Sequence, residues 1–255
     1  MFTIYSTIVG FIFIFFDITT MDTIVKLAIV IAILFIIVAT TFIINYLSAK
    51  KIEINLSNNT KLNVYYGDLF SEKGNIVIPV SECFDMVVDE KFVSSKTTHG
   101  HFVNNVFGSN IEELKEKIND CLTNVLPYDE SNKNRKKYDL GTTIVIEKNG
   151  NRYFLVVLTK FNDKDKAFCT IEDYYIVINR LLDYLHNYSQ GEAIYLPLIG
   201  GGLSNVNMSK KDLINSLIIA MKSNNNFKAI GDINLVLHNS LKNDINLSDI
   251  KYSHR

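Results

Sequence analysis

The stretch from Ala193 to Asn205, AIYLPLIGGGLSN, decides the fold prediction. Its first six residues form an apolar run that predicts a buried strand, which closes around Pro197. Three consecutive glycines then expose backbone N–H groups and let a ligand come close to the chain. A buried strand followed by such a loop is typical of an α/β sheet that binds its ligand beyond the carboxyl ends of its strands.

Similar apolar runs elsewhere in the chain predict the rest of the sheet. We predict strands over residues 51–56, 61–66, 75–80, 142–146, 152–158, 193–198 and 233–238. The first two flank the turn at 57–60, and Asn149-Gly150 joins the fourth to the fifth, so each pair is expected to form a hairpin. Helices with one apolar stripe are predicted to begin at the N-caps Ser109, Thr170 and Ser209. Alternating strands and helices predict an α/β fold in which helices cover a mixed sheet.

Two apolar runs precede this domain, Phe2 to Phe16 and Leu27 to Leu47. A helix needs about 20 residues to cross the hydrocarbon core of a bilayer. We therefore predict membrane spans over about residues 2–20 and 25–47. Residues 1–48 then form a transmembrane hairpin, and residues 49–255 form a separate domain.

Charge gives the predicted orientation of the hairpin. Lys50 and Lys51 follow the second span, whereas the turn between the spans carries the acids Asp17 and Asp22 and no base. The positive-inside rule then predicts a multi-pass protein of the cell inner membrane or plasma membrane, with the large domain in the cytoplasm.

The charge of the large domain bears on its partners. The chain has 26 basic and 27 acidic residues, and only Asp17, Asp22 and Lys26 of these lie within the first 48. The large domain therefore has equal numbers of both, and no nucleic-acid partner is expected, because duplex binding needs a basic face.

Polar or glycine-rich segments follow three of the predicted strands. Gly67-Asp68-Leu69 follows the second strand, Ser81-Glu82-Cys83-Phe84-Asp85 follows the third, and the glycine loop follows residues 193–198. The third strand is also followed by the stretch Ser94 to His101. The hydroxyls, acids and histidines of these segments suit ribose contacts, and the amides of the glycine loop suit phosphate oxygens. A thiol nucleophile at Cys83 with His99, or a metal site that adds His101, is an alternative. The spacing supports neither, so we predict no catalytic residue, no metal and no cofactor.

In this order, the three segments resemble a macro domain, a member of a superfamily that binds ADP-ribose. Gly67-Asp68-Leu69 is similar to the early element whose Asp accepts from the adenine amino group. Residues 75–80 are similar to the strand before the ribose loop, and Ile199 to Asn205 to the loop over the diphosphate. The resemblance covers roughly residues 52–240 and implies a three-layer α/β/α sandwich. The Asn-rich loop of the superfamily's hydrolases is absent after Pro79, which favours a receptor over an enzyme.

Phe84-Asp85, Val88-Asp89 and His99-Gly100 are closer to the macro domains of Thoeris anti-phage effectors, some of which are fused to two membrane helices. This resemblance implies a receptor for an ADP-ribose derivative that a TIR-domain partner makes from NAD. Ligand binding is then expected to produce a homo-oligomer that disrupts the lipid bilayer.

The resemblance also implies a set of ligand-binding residues. They are Asp68, Leu69, Val80, Ser81, Glu82, Phe84, Asp85, Thr98, His99, Gly100, His101, Ile199, Gly200, Gly201, Gly202, Leu203 and Ser204. Within this set, Glu82, Asp85 and His101 are expected to read any group beyond the distal ribose. Two alternatives remain open. One is an ADP-ribosyl hydrolase in which those three residues and His99 are the acid–base groups, and the other is a membrane adaptor with a vestigial pocket.

Overall fold

A computed structural model of the chain describes residues 22–48, 50–56, 60–131, 135–224 and 227–254. The chain divides into two units, Met1–Ser48 and Ala49–Arg255. Helix α1, Thr23–Ser48, belongs to the first unit. By length and composition, its stretch Thr23–Ile43 is apolar enough to cross a bilayer, and none of this stretch is buried. The first predicted span, residues 2–20, lies outside the described residues, so the two-helix hairpin stays a prediction.

The second unit contains a mixed sheet. Among the described residues, its strands are β1 (Lys51–Asn55), β2 (Lys61–Tyr66), β3 (Asn75–Ser81), β4 (Thr143–Lys148), β5 (Asn151–Phe161), β6 (Ala167–Phe168), β7 (Ile194–Leu196) and β8 (Ile233–Leu237). Their order is β1-β2-β8-β7-β3-β5-β4, with β6 paired to β5. Strands β2, β8, β7, β3 and β5 run parallel to one another, and β1, β4 and β6 are antiparallel to their neighbours. The prediction of a mixed α/β sheet is confirmed.

Helices cover this sheet. They are α2 (Thr98–His101), α3 (Ile111–Leu122), α4 (Ile171–Tyr188), α5 (Lys210–Ser223) and α6 (Leu247–Ser253). A π-helical turn, Phe102–Phe107, continues α2, and 3-10 turns lie at Leu69–Ser71 and Asn239–Asn243. All residues of β8 and all but one of β3 are buried. Because successive residues of a strand point to opposite faces, this burial requires cover on both faces, as in a three-layer sandwich.

The two predicted hairpins are present. Strands β1 and β2 pair with Lys51 opposite Tyr65, although the turn residues 57–59 lie outside the described part. Strands β4 and β5 meet at Asn149 and Gly150, which have φ angles of 54° and 77°. Two consecutive positive φ angles are those of a type I′ turn, and its twist matches that of the flanking strands.

Two of the three predicted helix caps are confirmed. The hydroxyl oxygens of Thr170 and Ser209 accept from the backbone N–H groups of Asp173 and Asp212, each at 3.1 Å. The capping box predicted at Ser109 is wrong. The N-cap of α3 is Asn110, because the backbone N–H of Asn110 donates to the carbonyl of Phe107 at 2.8 Å and closes a turn through Ser109.

Most strand ends differ from the predictions by one to three residues, and strand β6 and helices α2 and α6 were not predicted. Strand β7 ends at Leu196 because Pro197 has no N–H to continue the ladder. Strand β8 ends at Leu237 because the side chain of His238 caps the 3-10 turn that follows. Helix α6 was not predicted and packs against β1. The apolar core extends from Ile52 to Ile250 and takes nothing from the described residues of α1, so the second unit has a complete core of its own.

Candidate functional site

A cavity of about 870 Å³ opens at the carboxyl ends of the five parallel strands. Its volume is in the range of small-molecule sites. The lining residues are Gly67, Asp68, Leu69, Phe70, Pro79, Val80, Ser81, Glu90, Lys91, Phe92, Val93, Ser94, Lys96, Thr97, Thr98, His99, His101, Asn105, Leu158, Thr159, Asp165, Lys166, Ala167, Pro197, Leu198, Gly200, Gly201, Gly202, Leu203, Ser204, Asn205, Val236, His238, Asn239, Ser240 and Leu241. Each of the five parallel strands thus contributes residues at or just beyond its carboxyl end.

The segment after β2 forms one side of the cavity. The exposed side chain of Asp68 accepts from the backbone N–H of Phe70 at 3.0 Å and caps the 3-10 turn. One carboxylate oxygen makes this bond, so the other can accept from a ligand. The ring of Phe70 lies 6.2 Å from that of His101, with an angle of 18° between the planes. This side of the cavity therefore offers an acid beside flat aromatic surface.

The glycine loop, which follows β7, forms another side. Gly200 has a φ of 81°, and a Cβ there would come within 3.3 Å of three buried side chains. The backbone N–H of Gly201 donates to the carbonyl of Leu198 at 3.1 Å. A Cβ on Gly202 would meet no atom within 4 Å, so space remains above this residue. Ser204 Oγ is buried, and among the described residues it has no hydrogen-bond partner.

His99 lies in the lining and is buried. Burial lowers the pKa of its imidazole to about 4, although the nearby Asp85 opposes this shift. The ring also makes a hydrogen bond to the backbone of Asp85. At neutral pH His99 is therefore an uncharged imidazole that can take part in hydrogen bonds to a ligand.

The charges of the lining balance. Three acids, Asp68, Glu90 and Asp165, stand beside three lysines. Lys91 pairs with Asp165 at 2.8 Å, so one charge of each sign is already used. An anionic ligand would therefore gain most from backbone amides, as at the glycine loop.

Most of the predicted ligand-binding residues line this one cavity. They are Asp68, Leu69, Val80, Ser81, Thr98, His99, His101, Gly200, Gly201, Gly202, Leu203 and Ser204. The other five, Glu82, Phe84, Asp85, Gly100 and Ile199, are not among the lining residues.

Packing explains three of these five. Ile199 is fully buried, and the buried ring of Phe84 packs edge-on against Tyr138 at 5.6 Å. A Cβ on Gly100 would come within 2.2 Å of the Ser94 carbonyl oxygen. A glycine at position 100 therefore permits close contact with the backbone of Ser94.

The other two are acids held by protein groups. The Glu82 carboxylate accepts from the backbone N–H of Phe161 at 3.0 Å and from the hydroxyl of Tyr128, and it pairs with Lys137 at 3.4 Å. The Asp85 carboxylate accepts from Arg135 Nε at 3.1 Å and from the Ser81 hydroxyl at 2.8 Å. In this structure both acids bind protein groups rather than facing the cavity.

The thiol of Cys83 is not activated for nucleophilic chemistry. Burial, with the charge of Asp85 beside it, raises its pKa to about 12. A thiol with that pKa is protonated at neutral pH and is a weak nucleophile. Within the described ranges no group of three or more His, Cys, Asp or Glu side chains is placed to hold a metal ion.

The sequence predictions missed three groups of lining residues, two of which follow strands. Residues His238 to Leu241 follow β8, and Asp165 to Ala167 follow β5. Both follow predicted strands, so the rule that ligands bind beyond the carboxyl ends of strands pointed to them. Phe92 and its neighbours carry no periodic pattern and had no such signal.

Comparison with known proteins identifies the family. The family model described as "Thoeris protein ThsA, Macro domain" matches residues 62–238. The chain belongs to this macro domain family. The match begins in β2 and ends one residue after β8, so it includes the segment after β2 and the glycine loop. No curated protein matches the chain significantly.

Solved macrodomain structures share the fold of this ThsA-type domain. The Oceanobacillus iheyensis macrodomain with ADP has a TM-score of 0.56 at 13% identity, covering 80% of this chain and 96% of that one. A glycine-to-valine mutant of the same macrodomain with ADPR has a TM-score of 0.57 at 13% identity, covering 80% and 98%. The same macrodomain with MES bound gives 0.54 at 14%, covering 80% and 96%. At these identities the likeness concerns the fold alone.

Proposed function

We propose that this protein is a membrane-anchored receptor for an ADP-ribose-derived nucleotide in anti-phage defence. The supporting observation is one cavity that has the segment Gly67-Asp68-Leu69, the Asp68 element, on one side and the glycine loop on another. Membership of the ThsA macro domain family supports the same ligand class. So do the solved structures of the Oceanobacillus iheyensis macrodomain with ADP and with ADPR.

In this proposal the two sides of the cavity bind different parts of the nucleotide. The free oxygen of Asp68 accepts from the adenine amino group, and the amides around Gly201 and Gly202 bind the diphosphate. Ser204 Oγ supports this arrangement, because a buried hydroxyl without a partner costs about 1–3 kcal/mol and gains a partner from a ligand oxygen.

The proposal is that the domain binds its nucleotide rather than cleaves it. Two of the four acid–base candidates of the hydrolase alternative, Glu82 and Asp85, are held by protein groups. A general acid or base must reach the reacting atoms directly or through one water molecule. The remaining two candidates, His99 and His101, line the cavity. Neither Glu82 nor Asp85 lines it with them.

The wider pathway also belongs to the proposal. A TIR-domain enzyme supplies the nucleotide, binding drives homo-oligomerisation, and the N-terminal segment then disrupts the bilayer. Helix α1 supports a membrane role by its length and apolar composition. A ligand needs only a few kcal/mol of differential affinity to shift such an equilibrium.

Isothermal titration of residues 49–255 with ADP-ribose and its derivatives tests the ligand class. We expect binding of one of these compounds with a one-to-one stoichiometry. Absence of binding to all of them would refute the receptor function. Release of free ADP-ribose from an ADP-ribosylated protein by the same fragment would instead support the hydrolase.

A further inference from the structure

The cavity wall formed by Glu90 to Thr97 has no helix or strand of its own. Every residue of this wall except Ser95 lines the cavity. Its internal order comes from short-range bonds to two carboxylates. Asp89 accepts from the backbone N–H groups of Lys91, Phe92 and Val93 at 2.8–3.3 Å, and Glu90 accepts from Ser94 and Ser95. These bonds shape the wall but do not attach it to the sheet.

The ring of Phe92 is one attachment of the wall to the end of β5, beside the ion pair of Lys91 with Asp165 at 2.8 Å and the buried side chain of Val93. This ring packs edge-on against Phe161, the last residue of β5, with 5.5 Å between the centroids. The guanidinium of Arg135 lies 3.6 Å from the centroid of Phe92 and 4.5 Å from that of Phe161. One cation therefore contacts both rings, and each contact adds to the packing of the pair.

Asp85 fixes the position of this guanidinium. Its two carboxylate oxygens accept from Arg135 Nε at 3.1 Å and Nη2 at 3.3 Å. The same carboxylate accepts from the hydroxyl of Ser81, which ends β3. The side chain of Arg135 is 22% exposed and that of Asp85 is 15% exposed, so solvent screens this pair only in part. Arg135 is thus held by β3 on one side and contacts the wall on the other.

We infer that Arg135 is a positioning residue for the ligand cavity. It acts by holding the wall Glu90–Thr97 against the end of β5. Arg135 itself is not a lining residue, so it acts through the lining residues that it contacts, which are Phe92 and, at 3.9 Å, Asp165. The inference rests on the proposed function for its effect on nucleotide affinity. Its effect on the order of the wall is independent of that function.

The chemistry requires arginine at this position. A planar guanidinium can bind a carboxylate through two N–H groups and still stack on an aromatic ring. A lysine ammonium is a compact charge without a flat face, and it cannot make both contacts in this geometry. Replacement by lysine keeps the charge and removes the arrangement, which separates positioning from a general electrostatic effect.

The experiment uses residues 49–255, whose core is complete without the first unit. It compares the unchanged fragment with Arg135→Lys, Arg135→Gln and Phe161→Leu. Phe161 lies outside the lining, so its replacement disturbs the contact of Arg135 with the rings of Phe92 and Phe161, called the clamp below, without touching a ligand. The matched control is Lys136→Gln, which removes a neighbouring exposed cation that pairs with Glu130 at 3.2 Å.

Two readouts are measured for each protein. Hydrogen exchange of the backbone amides of Lys91 to Val93 reports the order of the wall without ligand. Isothermal titration with ADP-ribose reports affinity. We expect all three clamp variants to exchange at least 10-fold faster in the wall, with unchanged exchange in β3 and β8, and to bind ADP-ribose at least 10-fold more weakly. The control is expected to match the unchanged fragment in both readouts.

The outcomes are distinguishable. Unchanged wall exchange in the variants overturns the inference, whether or not affinity falls. Faster exchange throughout the sheet also overturns it, because the role of Arg135 is then general stability. Failure of the unchanged fragment to bind ADP-ribose counts against the proposed function, while wall exchange still tests the clamp. If Arg135→Gln does not fold, Arg135→Lys and Phe161→Leu decide the question in the same way.

Discussion

The backbone N–H of Phe161 donates a hydrogen bond of 3.0 Å to the carboxylate of Glu82. Glu82 is the only acidic residue that is buried in the described part of the chain. Its carboxylate connects the ends of two adjacent parallel strands, β3 and β5. Lys137 and the hydroxyl of Tyr128 bind the same carboxylate from a loop some fifty residues later. This buried acid therefore fixes three separate parts of the chain at the edge of the cavity.

The first prediction concerns the stability supplied by this acid. Glu82→Gln replaces one of the two oxygens that accept from three donors by an NH₂ group, which cannot accept. It also removes the negative charge that pairs with Lys137. We expect the free energy of unfolding to fall by about 2–4 kcal/mol. Urea denaturation of residues 49–255 at pH 7 measures this change. The control, Glu130→Gln, breaks an exposed pair with Lys136 and should cost less than about 1 kcal/mol. Equal losses in both variants would contradict the prediction.

The second prediction concerns the pH dependence of stability. Burial lowers the pKa of His99 from 6.5 to about 4, so the unfolded chain binds this proton more readily than the folded domain. The stability gained by an uncharged His99 is therefore complete above pH 6.5 and is lost as the pH falls towards 4. Between pH 7 and pH 4 the loss is roughly 3 kcal/mol.

Replacement of this histidine isolates its share from that of the carboxylates. Urea denaturation of the unchanged fragment and of His99→Gln over pH 4–7 gives two curves. We expect the difference between them to shrink or reverse as the pH falls below 6.5. Parallel curves would show that His99 does not cause the pH dependence.

The third prediction separates two neighbouring glycines. Gly200 has a positive φ and tight neighbours, so Gly200→Ala should lower the free energy of unfolding by about 1–2 kcal/mol. A side chain on Gly202 has open space, so Gly202→Val should leave thermal stability unchanged and weaken ADP-ribose binding at least 10-fold. Thermal denaturation and isothermal titration measure the two effects. Asn207→Val, an exposed site outside the lining, is the control and should change neither.

The fourth prediction concerns the acid beside the aromatic surface. Asp68→Asn keeps an N-cap side chain of equal capping strength, so the 3-10 turn at Leu69 should be preserved. It replaces one carboxylate oxygen by an NH₂ group that cannot accept from the adenine amino group. We expect ADP-ribose affinity to fall about 10-fold with unchanged thermal stability. Unchanged affinity would place the adenine elsewhere in the cavity.

The fifth prediction concerns the N-terminal unit. Full-length protein expressed in bacteria should sediment with membranes and resist extraction by high salt, whereas residues 49–255 should remain in the supernatant. Both should bind ADP-ribose with the same affinity, because no described residue of α1 lines the cavity. Recovery of the full-length chain in the soluble fraction would refute the membrane anchor.

Local patterns in the sequence were enough to predict most of the sheet. Strand periodicity, the Asn149-Gly150 turn and the caps at Thr170 and Ser209 each depend on residues close in sequence. The cavity edge was also predictable, because parallel strands place their carboxyl ends together. The Ser109 cap failed because a turn formed by Asn110 took precedence over the capping-box pattern.

The roles of Glu82 and Asp85 could not be predicted from local patterns. Their partners, Phe161 and Arg135, are about 80 and 50 residues away in sequence. A cluster of acids after a buried strand looks the same in sequence whether it faces a ligand or a buried arginine. Only the fold decides whether such an acid binds a ligand or a protein group. Here Glu82 and Asp85 both bind protein groups. The wall at Phe92 was missed for the same reason.

The pairing of Lys51 with Tyr65 has a mechanical consequence. Because β1 is antiparallel to β2, the chain enters the sheet at the edge where β2 ends, two residues before Gly67. A pull on the polypeptide upstream of Lys51 is therefore applied at the end of the edge strand next to the Asp68 element. That element is itself bonded to the next strand, because the backbone N–H of Gly67 donates to the carbonyl of Leu237 in β8 at 2.9 Å. A force on the N-terminal segment would therefore load the backbone hydrogen bonds of the β1–β2 pair first.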